Sequence, residues 1–301
     1  MHNPGQIDAL GKRFRDNTSD EKDIRMLEEV RAEYDALLLD TARWTGKALK
    51  SANIESVFAG RSKRTKSLKR KLVRPGNHSM DLSRMADLVG LRVVVRDLVA
   101  QRRAADVLSL ATVGQRVYLD DGRPYRAIHL ISKEDNGFRL IETQIRTLAQ
   151  QLWANESESF GEQVKEGGGP ADIREYLEQL STACRLIDNR EEVPEAITLS
   201  EFFVTRATLS FRLPRMKVLY EEAIRVRTFN SEMTTHVAVY DNSTNQCTQD
   251  FIYEQSDRLR AIADYQRITQ SLDEARYETL ILNSVSDATL RVTHPRFFPE
   301  G

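Results

Sequence analysis

Apolar residues recur at helical spacing through Ile24, Leu27, Tyr34, Leu37, Leu38 and Trp44, so residues 21–50 read as an amphipathic helix. After a break at Pro75-Gly76-Asn77, the run Leu91-Arg92-Val93-Val94-Val95 reads as a strand and residues 98–111 as a helix. Strand candidates follow at 115–119, 126–133 and 138–145, and the last two meet at Asn136-Gly137, a dipeptide suited to a two-residue hairpin turn. A helix begins near Thr147, Gly167-Gly168-Gly169-Pro170 forms a break, and residues 171–189 read as a helix through Ile173, Leu177, Leu180, Cys184 and Ile187. The stretch from Val193-Pro194 to about Leu199 marks a junction. Beyond it the pattern restarts, with helices near 215–227 and 255–271 and strands near 234–241, 247–253 and 278–283. Mixed strands and helices in this order imply an α+β or α/β domain followed by a small second α+β module.

Composition narrows the class. With 40% hydrophobic and 30% charged residues among 301, the chain is globular rather than disordered. Its longest apolar runs, such as 88–95, are too short and interrupted to span a bilayer, and its N-terminus lacks the apolar stretch of a secretory signal. A cytoplasmic, membrane-free protein is expected. Two cysteines, Cys184 and Cys247, cannot build a disulfide framework and have no metal-ligand spacing. The net charge of −1 conceals a basic segment: residues 61–74 hold eight Lys or Arg and no acid. Residues 156–195 are rich in Asp and Glu.

If Asn136-Gly137 forms the hairpin turn, Ile131 lies opposite Glu142 and His129 opposite Gln144. Residues two apart share a face, so Tyr125, His129, Glu142, Gln144 and Arg146 project from one side. The alternative is a solvated polar face, which antiparallel sheets commonly carry. In the basic segment Lys63, Ser67 and Lys71 fall at i, i+4 and i+8, on one side of a helix with Arg61 nearby. Such a row can grip a polyphosphate through charge and donors; the alternatives are a surplus-charge surface helix or a non-specific nucleic-acid patch. A P-loop is excluded by the absence of its second glycine. Asp87-x-x-Gly90-x-Arg92 offers a carboxylate able to hold Mg²⁺ on phosphates, or a helix-terminal Asp with a turn Gly.

The order of these pieces resembles the RelA/SpoT synthetase domain: Gly60-Arg61-x-Lys63-x-x-x-Ser67, then Asp87-x-x-Gly90-Leu91-Arg92, Tyr125-Arg126-x-x-His129, and Glu142-x-Gln144-Ile145-Arg146-Thr147. The likeness runs from about residue 25 to 190. It implies an α+β fold, a mixed sheet flanked by helices and similar to nucleotidyltransferases, with a synthetase domain at 1–195 and a regulatory, antitoxin-like domain at 196–301. It also implies transfer of pyrophosphate from ATP to a ribose 3′-hydroxyl, releasing AMP. Carried over by position, Arg61, Lys63, Ser67, Lys71 and Arg92 bind ATP. Asp87 and Glu142 are the acids associated with Mg²⁺, and Glu142 is the base for the acceptor hydroxyl. Tyr125 stacks on the acceptor base, with Arg126, His129, Gln144 and Arg146 in the same pocket.

Two departures bear on the acceptor. Alarmone synthetases usually carry a Lys and an Asn-Gly before the stacking Tyr, where this chain has Asp121-Gly122-Arg123-Pro124. Where many relatives have a His-rich helix, this chain reads Gln151-Leu152-Trp153-Ala154-Asn155-Glu156. No His-Asp dipeptide is present, so the metal-dependent hydrolase half of longer relatives is absent. The C-terminal part, through Tyr253-Glu254, Ala261, Tyr265, Glu278–Leu282 and His294-Pro295-Arg296-Phe297-Phe298, looks like the tail of CapRel-type fused toxin–antitoxin proteins of the small toxic synthetase branch. That likeness implies a toxin acting on the tRNA 3′ end, a tail that restrains it and a phage protein that releases it; occupation of the donor site in cis by residues 200–301 is the expected means of restraint. An alarmone synthetase using GDP or GTP, and a non-catalytic nucleic-acid-binding regulator, are the competing readings. The regulator would not need both Asp87 and Glu142.

Overall fold

The computed structural model describes residues 1–63, 65–74, 80–119, 122–135, 137–160, 169–194, 207–229, 232–273 and 276–298. Helices α1 (Pro4–Arg15) and α2 (Glu21–Ser51) open the chain, each started by a reciprocal capping box, Asn3 with Gln6 and Asp20 with Asp23. Then come β1 (Ser56–Ser62), α3 (Thr65–Val73), β2 (Val89–Val95), α4 (Leu98–Ser109), β3 (Thr112–Tyr118), β4 (Ala127–Lys133), β5 (Leu140–Thr147), α5 (Leu148–Ser159) and α6 (Ala171–Asp188). The C-terminal part contributes α7 (Leu213–Phe229), β6 (Thr234–Asp241), β7 (Gln246–Tyr253), α8 (Arg258–Ser271), β8 (Tyr277–Ser284) and α9 (Asp287–Thr293).

All eight strands form one mixed sheet in the order β3-β4-β5-β2-β1-β8-β6-β7, with β2 and β5 parallel and the other neighbours antiparallel. The expected α+β fold, a mixed sheet flanked by helices, is what forms. One core packs Leu27, Val30, Tyr34 and Leu38 of α2 with Leu91, Val93 and Val95 of β2 and Ile128 and Ile145 of the hairpin. A second core, on the other face, joins Val57 and Val94 to α5, α6, α7 and α9 through Leu148, Leu180, Tyr220 and Val292. The expected boundary at 195/196 therefore lies between two stretches that share a sheet: β8 pairs with β1 through Ala59–Ser284, Gly60–Asn283 and Arg61–Leu282. Among the described residues no helix is long and apolar enough to cross a membrane.

Strand β1 was not anticipated, because its last residues belong to the basic segment. Its first five residues are fully buried. Helix α2 presses on it so closely that a Cβ at Gly60 would lie 2.8 Å from a Leu38 methyl. Only glycine fits there, since Leu38 is itself buried and has nowhere to retreat. The β4–β5 register is the expected one, with Ile131 opposite Glu142 and His129 opposite Gln144. The turn is wider than two residues: pairing ends as the Glu134 amide donates to the Arg139 carbonyl at 2.9 Å, and Gly137 N donates to Glu134 O at 3.1 Å. Asn136 lies outside the described residues, as do Gly167, Gly168 and most of the expected junction. Helices α1 and α9 were also unanticipated.

Candidate active site

Two rows of paired positions cross one face of the sheet. Arg61 of β1 is opposite Gly90 of β2, which is opposite Glu142 of β5. The next row runs from Ala59 through Arg92 and Gln144 to His129 of β4. Paired positions on neighbouring strands share a face, so Arg61, Arg92, Glu142, Gln144 and His129 converge on the α5 side. A Cβ at Gly90 would meet only the Glu142 carbonyl oxygen, at 3.3 Å. The sheet is bare between Arg61 and Glu142.

Asp87 stands at the edge of this opening. The Glu142 amide donates to the Ala86 carbonyl at 2.8 Å, tying the Asp87 turn to β5. Lys63 Nζ reaches Asp87 Oδ2 at 3.0 Å and Lys71 Nζ reaches Oδ1 at 2.7 Å. Burial would raise the Asp87 carboxyl, but the two ammonium groups outweigh it and pull its pKa down to about 2. Lys63 is not on a helix with Ser67 and Lys71, as the spacing suggested: α3 begins at Thr65 and Lys63 belongs to the β1–α3 connection. Lys63 and Lys71 nevertheless meet on one carboxylate, and Ser67 lies one turn before Lys71 on α3.

Glu142 is held differently. His129 Nδ1 contacts Oε1 at 2.9 Å and Gln144 Nε2 donates to Oε2 at 2.8 Å. Burial works to raise its pKa and so does the Asp87 charge, but His129 and Gln144 reverse the direction and leave it lowered. Arg146 donates to Tyr125 Oη at 3.0 Å and to Gln144 Oε1 at 2.8 Å, and Tyr125 Oη lies 2.6 Å from His129 Nε2. The spacing suits a relay in which Tyr125 O–H donates to Nε2 and His129 Nδ1–H donates to Glu142. Burial raises the Tyr125 phenol, keeping it a donor. Its ring packs edge-on against Trp153 at 6.0 Å between centroids, with the Arg146 guanidinium 5.3 Å from its own centroid.

Two expected residues are engaged within the fold. Arg126 is buried beside α6, where its charge acts on Asp188 and Cys184. Arg92 is on the correct face but buried: it donates to the Thr293 carbonyl at the end of α9 and to Glu158 Oε1 at 2.9 Å. Desolvation lowers its pKa to about 10 despite Glu158. Sequence reasoning missed this surrounding shell. Gln151 donates to Thr293 O and Asn155 to Val292 O, both at 3.2 Å. Gln151, Asn155 and Glu158 fall at i, i+4 and i+7, a spacing that could have marked them as one face of α5.

Among the described residues, no three or more His, Cys, Asp or Glu are grouped to hold a metal unaided. Asp87 and Glu142 are hard oxygen donors beside this bare patch, the donor type that Mg²⁺ takes.

Residues 60–160 match the family model for the region found in RelA and SpoT proteins. No curated protein sequence matches the chain. Among solved structures, it is similar to a GTP pyrophosphokinase family protein from Streptococcus pneumoniae, at 25% identity over 64% of this chain and 99% of that one, TM-score 0.47. It is also similar to small alarmone synthetase 1 from Bacillus subtilis bound to its product pppGpp, at 24% identity over 57% and 95% of the two chains, TM-score 0.45.

The His129–Glu142 pair generates a stability prediction. A carboxyl with a lowered pKa contributes stability above the ordinary carboxylate range and loses it as pH falls. Without His129, burial dominates at Glu142 and the sign reverses. His129→Ala should therefore destabilise the fold by about 1–3 kcal/mol near neutral pH, and the deficit should narrow as pH falls through the carboxylate range. Urea unfolding across pH checks this, and a deficit that does not change with pH contradicts it. The family match falls on the strands that build this site, so residues 60–160 carry the region found in RelA and SpoT proteins.

Proposed function

We propose that this chain moves the β,γ-pyrophosphate of ATP to the 3′-hydroxyl of a ribose, and that the acceptor is the 3′ end of tRNA. The observation that carries the transfer is a buried, ionised Glu142 facing a cationic cluster across the bare position at Gly90. The acceptor oxygen attacks the β-phosphorus, the bond between the α,β-bridging oxygen and that phosphorus breaks, AMP leaves, and Glu142 receives the hydroxyl proton. Lys63 and Lys71, already gathered on Asp87, can exchange that carboxylate for phosphate oxygens, and Arg61 borders the same opening. His129 and Gln144 keep Glu142 ionised and fix the direction of its lone pairs. A Mg²⁺ held by Asp87 and Glu142 would neutralise polyphosphate charge. Tyr125 is the stacking surface for the acceptor base, its hydroxyl fixed by His129 and Arg146.

The tRNA end is favoured by Asp121 and Pro124, which stand where alarmone synthetases carry groups used around the guanine nucleotide. An acid there repels a free nucleotide's phosphates. The second reading, GDP or GTP as acceptor, is favoured by the family match and by the pppGpp product of the Bacillus subtilis protein. Incubation with γ-labelled ATP, Mg²⁺ and either deacylated tRNA or GDP/GTP separates them. Label on tRNA, abolished by Glu142→Gln with ATP binding retained, is the expected result. Label on the guanine nucleotide alone overturns the tRNA reading.

In the same reading the C-terminal part restrains the enzyme in cis, as in a fused toxin–antitoxin protein released by a protein trigger. Its support is that Thr293 O occupies Arg92, a residue assigned to ATP. Deleting residues 196–301 would strip β8 from β1 and expose a central strand edge, so a point substitution is the cleaner test. Asn155→Ala removes the donor to Val292 O and should raise transfer about fivefold, on the scale of one hydrogen bond. Unchanged or lower activity in the folded variant contradicts the restraint.

A further inference from the structure

Helix α2 carries Glu28, Arg31 and Asp35 at i, i+3 and i+7, and all three are at most 6% exposed. Three buried ionisable groups cost desolvation energy, and apolar residues of similar volume often serve stability as well or better. Burial pushes the Asp35 carboxyl up to about 6. The cluster needs an account other than stability.

Its contacts supply one. Arg31 pairs with Glu28 and donates to Thr65 Oγ1 at 2.9 Å and to the Lys63 carbonyl. Asp35 Oδ1 accepts from Ser62 Oγ at 2.9 Å. On the opposite side of the same residue, Lys63 N donates to the Leu88 carbonyl at 2.8 Å. The Lys63 backbone is thus held at both its polar groups, and the first residue of α3 is held by the guanidinium that grips Lys63. What remains free to change partners is the Lys63 ammonium, now on Asp87. Behind the cluster, Arg258 of α8 donates to the Ala32 carbonyl at 2.9 Å, and the buried Tyr265 of α8 lies within electrostatic reach of Glu28 and Arg31.

We propose that Arg31 is a positioning residue for ATP: it fixes the β1–α3 connection so that Lys63 and Lys71 are presented together to the polyphosphate, and α8 closes the cluster from behind. The proposal rests on the reading that Lys63 and Lys71 bind ATP. It adds a residue outside the matched region 60–160 and a route by which the C-terminal part reaches the donor site from the face opposite Arg92.

The test measures, on the full chain, the affinity for Mg²⁺ with a non-hydrolysable ATP analogue, and the rate of tryptic cleavage between Lys63 and Lys71 without ligand. Variants are Arg31→Lys, Thr65→Val, and Arg31→Met combined with Glu28→Gln, each with its unfolding midpoint. Arg31→Lys keeps the charge but loses the fork, and should weaken analogue binding roughly tenfold; Thr65→Val should weaken it about two- to threefold. Both should speed cleavage while leaving the midpoint nearly unchanged. The double variant keeps the site neutral and should lose the most affinity, and if it does not fold the two milder variants still decide. Folded variants with wild-type affinity and wild-type cleavage overturn the proposal. If the wild-type protein does not bind the analogue, the ATP reading fails, and the cleavage rates still decide whether Arg31 holds the connection.

Discussion

Strand β1 is hydrogen-bonded along both edges, to β2 on one side and β8 on the other, while α2 bears on it at Gly60. That double pairing fixes where Arg61, Ser62 and Lys63 emerge, and hence where α3 begins. Because the second partner of β1 comes from the C-terminal third, the catalytic face and the tail belong to one sheet. The tail is also part of the second core, through Ala288 and Val292 of α9. The C-terminal part touches this region on both faces: the end of α9 accepts from Arg92 on one, and Arg258 of α8 donates to the Ala32 carbonyl of α2 on the other.

The electrostatics follow from which partners are charged. Asp87 is surrounded by full cations, so its carboxyl sits far below the ordinary range despite burial. Glu142 is held by an imidazole and an amide, and its shift is a narrower outcome of burial against hydrogen bonds. The first arrangement gathers two ammonium groups on one carboxylate; the second keeps a buried acid ionised. Gly90, without a side chain, leaves the space between them.

Much of this was legible in the sequence, and the gaps have physical reasons. The β4–β5 register was readable because strict alternation and an Asn-Gly dipeptide fix which residues oppose each other, so the polar set on one face followed. Strand β1 was hidden because a short apolar run passes directly into basic residues, and charge masked the end of the strand. Lys63 and Lys71 were expected to act together for the wrong local reason: a helix does not join them, and a shared carboxylate does. The tail's hold on Arg92 had no sequence signal, since the acceptor is a backbone carbonyl that any residue supplies. The apolar positions of residues 21–50 carried no sign of the partners of Glu28, Arg31 and Asp35; only the fold shows that these face the β1–α3 connection.

In the proposed reaction the polyphosphate lies over Gly90, between the lysine-clamped Asp87 and Glu142. A crystal structure of the full chain with Mg²⁺ and a non-hydrolysable ATP analogue tests it most directly. Phosphate oxygens should then lie within hydrogen-bond distance of Lys63 or Lys71, with at least one lysine drawn away from Asp87. An analogue bound elsewhere, with both lysines still on Asp87 and the surface above Gly90 bare, would contradict it.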